Sequence, residues 1–85
     1  MSKKAINAAM KNVAYAGAAA QRTNTQEKKD DYYSEVKANA DALSLLGIMK
    51  WIDAFDMLFA EYNSAMREEK EMNEFIKLEL DKIKE

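Results

Sequence analysis

Histidine and cysteine are both missing from the 85 residues of this chain. Without imidazole or thiolate, the common zinc and copper sites, Ser-His and Cys-His nucleophile pairs and histidine acid-base catalysis have no material to work with. The lack of cysteine also excludes a disulfide framework. Proline is absent and glycine occurs twice, as Gly17 and Gly47, so few positions can break a helix. No long hydrophobic run occurs either: VAYAGAAA, residues 13–20, is uninterrupted for eight residues, against the roughly 20 that a membrane span requires.

What is present points to helices. Hydrophobic residues make up 48% of the chain and charged residues 33%, a mixture typical of helical bundles and coiled coils. A chain this short forms one domain with a thin core. Its net charge of −2 is too small to describe a nucleic-acid binder or a polyanion mimic, but the charges are unevenly placed. Residues 1–22 carry Lys3, Lys4, Lys11 and Arg22 with no acid, whereas residues 32–66 carry two lysines against five acids. Such a split favours self-complementary docking, within a chain or between chains.

Ile6, Met10, Val13, Gly17 and Ala20 recur at spacings of four and three, and Ala9 and Ala16 widen the same face. With Ser2 as N-cap, this predicts a first helix over about 3–22. The polar stretch after it holds Thr23, Asn24 and Thr25, with Gln26 at capping-box spacing from Thr23, and marks a turn. Tyr33, Val36, Ala40, Leu43 and Gly47 predict a second helix over about 26–46. Gly47 suits the left-handed position after that helix, with Ile48 folding back on Leu43 as in a Schellman cap. The rival reading, Gly47 inside one long helix, costs about 1 kcal/mol.

From Trp51 onward, Trp51, Phe55, Leu58, Tyr62, Ala65, Glu69, Met72, Ile76, Glu79 and Ile83 alternate steps of four and three. This predicts a third helix over about 50–84, long enough to overhang the other two by about 20 Å. A second stripe of Ile48, Ile52, Phe59 and Met66 requires the first half of this helix to contact more than one neighbour. Beyond Met66 only a narrow seam of Met72, Ile76, Leu80 and Ile83 persists, with Phe75 and Leu78 beside it. A narrow seam suits a coiled-coil partner, most economically a second copy of the chain.

Groups that could carry chemistry have simpler roles. The basic start followed by VAYAGAAAQ resembles a secretory signal with a small-residue cleavage site, but Lys11 and Asn12 interrupt it and its alanines are weakly hydrophobic. The same small residues let another helix approach closely. The N-terminal lysines with Tyr15 offer only a thin footprint for a nucleic-acid backbone. Asp53 with Asp56, and Glu68 with Glu71, supply too few oxygens for a magnesium or calcium site; the first pair complements a helix dipole. Trp51, Phe55, Phe59 and Tyr62 read as core aromatics. Of the adjacent pair Tyr32 and Tyr33, one packs and Tyr32 is expected at a partner surface.

These patterns predict an all-α fold: a single domain over 1–85, built as a three-helix antiparallel bundle. Its long C-terminal helix (about 50–84) carries coiled-coil-like heptads, and the expected state is oligomeric. The candidate interface is Gly17, Tyr32, Met72, Phe75, Ile76, Leu80 and Ile83. No catalytic, cofactor-binding or metal-binding residue is expected. The predicted function is that of a cytoplasmic protein-protein interaction module (adaptor, inhibitor or assembly factor), self-associating as a dimer through its C-terminal helix, also meeting a protein partner, and engaging no membrane. The alternatives are a nucleic-acid-binding accessory protein using the basic first helix, and an exported helical protein with a cleaved N-terminal segment.

Overall fold

The computed structural model describes residues 2–84, with side chains placed over residues 3–83. Three helices follow one another: α1 (Ser2–Arg22), α2 (Gln26–Leu45) and α3 (Trp51–Lys84). Each packs on both others, and the described residues contain no strand. The N-cap expected at Ser2 falls outside the described side chains.

Side-chain contacts give the register. Asn12 Nδ2 donates to Asn39 Oδ1 at 3.0 Å between α1 and α2, while Tyr33 on α2 meets Phe59 and Tyr62 on α3 edge-on. Trp51, at the start of α3, bonds Asp41 near the end of α2. Residue numbers therefore rise along α3 as they fall along α2, and α1 runs in the same sense as α3.

The core is built largely from small side chains. Ala9, Val13, Ala16 and Ala20 of α1 interlock with Val36, Ala40 and Leu43 of α2 and with Ala54, Leu58 and Tyr62 of α3, and these ten side chains form one buried cluster. Gly17 is buried among them. A β-carbon there would collide with the Tyr62 carbonyl oxygen and come within 3.2 Å of the Ala65 Cβ, so α1 lies directly against the backbone of α3. Only glycine admits that approach.

The two turns have different chemistry. Thr23 still belongs to the end of α1, donating its N–H to the Ala19 carbonyl, and Thr25 is the N-cap of α2. The capping box expected between Thr23 and Gln26 is therefore not formed; Gln26 bonds Asp30 instead, at 2.9 Å. At the other end of α2, Gly47 has φ of 73°. Its N–H reaches the Ser44 carbonyl and that of Ile48 reaches the Leu43 carbonyl, the paired bonds of a Schellman motif. Ile48 packs against the core cluster that contains Leu43, and the chain reverses there into α3.

With 34 residues, α3 is about 51 Å long, nearly the full 57 Å extent of the molecule. From Lys70 to Ile83 every residue is exposed. About 22 Å of helix, residues 70–84, thus extends past the bundle.

Candidate interaction surfaces

The apolar seam of the overhang is an extension of the face that α3 buries. Seven-residue steps return to nearly the same side of a helix. They lead from Leu58 through Ala65 to Met72, and from Tyr62 through Glu69 to Ile76 and Ile83. Leu58 and Tyr62 are in the core, Ala65 faces Gly17, and Glu69 holds Arg22 of α1 at 3.3 Å. Met72, Ile76 and Ile83 continue this line beyond the point where α1 and α2 end. With Phe75 and Leu80 beside them, they expose between 47% and 79% of their surface. Scattered exposed leucines are ordinary on a small protein, but a row at heptad spacing on one helix is a partner-sized surface.

Charges flank the row. Glu79 pairs with Lys82 at 3.6 Å, one turn apart on the same side of the helix. A shallow groove lined by Glu68, Glu71, Met72 and Phe75 runs where the overhang leaves the bundle.

Gly17 and Tyr32 stand elsewhere. Gly17 serves the contact between α1 and α3 inside the chain, so its small size is consumed by the fold. Tyr32 is half-buried and packs against the core cluster, lining a groove with Asn12, Tyr15, Ala16 and Glu35. Both tyrosines pack, because α1 covers the side of α2 that carries Tyr32 while Tyr33 turns toward Phe59 and Tyr62 of α3. The exposed tyrosine is Tyr15, at 70%.

A second apolar surface, not foreseen from the periodicity, sits at the α2–α3 turn. Leu45, Leu46, Trp51 and Ile52 are exposed there, around a shallow groove lined by Asp41, Ser44, Leu45 and Trp51. The expectation that Trp51 is core is corrected: Ala54 takes the buried position at the start of α3, while Phe55, like Phe59, is half-buried and packs against the core cluster. Trp51 instead stacks on Phe55, Phe55 stacks on Phe59, with ring centroids 5.1 and 5.6 Å apart, and the indole N–H donates to Asp41 at 2.6 Å. Leu45 and Leu46 carried a signal that was available, since both fall off the Val36–Ala40–Leu43 face.

Lys3, Lys4 and Lys11 are exposed along α1, but Arg22 is committed to Glu69 and to the Ala18 carbonyl. Asp53 occupies the first turn of α3, where it complements the dipole; Asp56 lies beyond that turn, exposed. No group of three or more acidic side chains among the described residues is placed to hold a metal ion. No helix among them is long and apolar enough to cross a membrane.

Comparison with protein-family models, curated proteins and solved structures found no match.

Proposed function

We propose that this chain is a small helical protein-protein interaction module that works through surface contacts and not through catalysis, with the overhang of α3 as its principal contact surface. One observation carries the reading. Residues 70–83 leave the bundle as helix while Met72, Phe75, Ile76, Leu80 and Ile83 stay exposed in register with the buried face. Solitary amphipathic helices of about 15 residues are marginal in water, so an uncovered apolar row on such a segment is best accounted for by a helical partner. The role is that of an adaptor, an inhibitor or an assembly factor, cytoplasmic, and self-associating as a dimer with coiled-coil-like contacts.

The nucleic-acid alternative loses support from the geometry, since Arg22 is engaged by Glu69 and the three lysines of α1 are spread over residues 3–11. Light scattering across a range of concentrations tests the reading. The mass should rise from the 9.7 kDa of one chain toward twice that value, and a monomer at every concentration would sink self-association.

A further inference from the structure

We infer that the overhang binds a second copy of the same chain in antiparallel orientation, with the two copies related by a two-fold axis crossing between Lys77 and Leu78. This rests on the reading of the overhang as a self-association surface and adds which way the partner points. The continuity of the α3 face decides the orientation. The seam of Met72, Ile76 and Ile83 lies on the same side of α3 as Leu58, Tyr62 and Ala65, which α1 and α2 already cover. A parallel partner seated on that seam would carry its own residues 51–69 back along this side, straight into the α1–α2 turn at residues 22–26. An antiparallel partner runs the other way, and its bundle lies beyond the end of the first copy's α3.

The register follows from the same collision. Each helix end can advance until it meets the other copy's α1–α2 turn, which lies level with Glu69 because Arg22 contacts it there. Overlap is then limited to residues 71–84, with its midpoint between Lys77 and Leu78. That symmetry sets Met72 of one copy beside Ile83 of the other, and Phe75 beside Leu80, so apolar side chains meet apolar ones.

Charge agrees. Parallel, in-register pairing faces Glu79 with its own copy in the seam, and like charges so placed are destabilising. Antiparallel pairing puts Glu79 across from Ile76. The interface is small, on the order of 1,000 Å² in total, near the lower limit for specific association, so the dimer forms in the micromolar range.

The absence of native cysteine makes the test direct. Full-length Met72→Cys and Ile83→Cys variants each carry one thiol at an exposed position, and circular dichroism checks that both keep the helical bundle. In the antiparallel pair, the cysteine of Met72→Cys stands beside that of Ile83→Cys. Two copies of Met72→Cys hold their thiols about 16 Å apart along the axis, far beyond the roughly 3.5–4.5 Å Cβ spacing of a disulfide. Mild oxidation of an equimolar mixture, with one variant carrying a mass tag, should yield the mixed disulfide at least about tenfold faster than either same-variant disulfide. Dominant same-variant disulfides, in a protein that light scattering shows to be dimeric, would overturn the orientation and leave self-association standing. A monomeric protein that forms neither product at several hundred micromolar would overturn both.

Discussion

Arg22, the last residue of α1, holds Glu69 of α3 at 3.3 Å, and one residue later α3 emerges from the bundle. The pair itself is half open to solvent, worth about 0.2–1 kcal/mol and sensitive to salt. Its importance is positional, since it marks where the core ends. None of the side chains of residues 71–83 is buried, so a chain ending at Lys70 should keep its bundle and lose less than about 1 kcal/mol in denaturant unfolding. Self-association should vanish. A loss well above that figure would mean that the overhang supports the bundle.

Gly17 offers a contest between two effects of opposite sign. Helix propensity alone favours Gly17→Ala by about 1 kcal/mol, but the new methyl meets the Tyr62 carbonyl oxygen, which belongs to backbone and has little freedom to move. The collision should win, with a net loss of about 1–3 kcal/mol in urea unfolding. Gly17→Leu should be worse still. Ala18→Leu, at a half-exposed neighbour, should change stability by less than about 1 kcal/mol. Stabilisation by Gly17→Ala would show that α1 and α3 can separate freely.

Gly47 should fail for a different reason. Nothing lies within 4 Å of a β-carbon built there, yet its φ is 73°. The cost of Gly47→Ala is therefore purely conformational, about 1–2 kcal/mol, and Gly47→Asn should recover part of it because asparagine tolerates the left-handed region. Equal losses for alanine and asparagine in thermal unfolding would count against this account of the Schellman turn.

Tyr62 ties stability to alkaline pH. Burial, aided by Tyr33 and then Asp30, raises its phenol above the ordinary value. The folded state then keeps this proton to higher pH than the unfolded state, so the contribution is intact below about pH 10 and declines as pH rises through the raised value. Tyr62→Phe retains the ring and removes the proton, so stability measured from pH 9 to 12 should fall less steeply than in the parent. Parallel curves would mean that Tyr62 is not the group responsible.

Much of the architecture is legible in the sequence because its signals are local. The three helices, the glycine that reverses the chain after α2 and the extra length of α3 follow from periodicity and from Gly47. The face of α1 is also readable, since Val13, Ala16, Gly17 and Ala20 align over about two turns. The start of α3 was not. Ala54 is buried while Trp51 and Ile52 are exposed, an inversion of the hydrophobic ranking. The methyl of Ala54 fills the buried position, and the indole of Trp51 lies along the surface, stacked on Phe55 with its N–H on Asp41. Tyr32 packs inward for a related reason, because Ala16 and Ala19 on α1 leave room for a large neighbour from α2. Periodicity locates a stripe, but side-chain volume decides which member of it enters.

The alanine-lined core implies two different rules of substitution within one short chain. At Ala9, Ala16, Ala20, Ala40 and Ala54 the forbidden change is growth: polarity matters less than the extra atoms that would wedge the helices apart. At Met72, Phe75, Ile76, Leu80 and Ile83 size is free and the costly change is to a charge. A saturation scan should therefore separate into a volume-limited map for folding and a hydrophobicity-limited map for association, and the boundary between them should fall at Glu69.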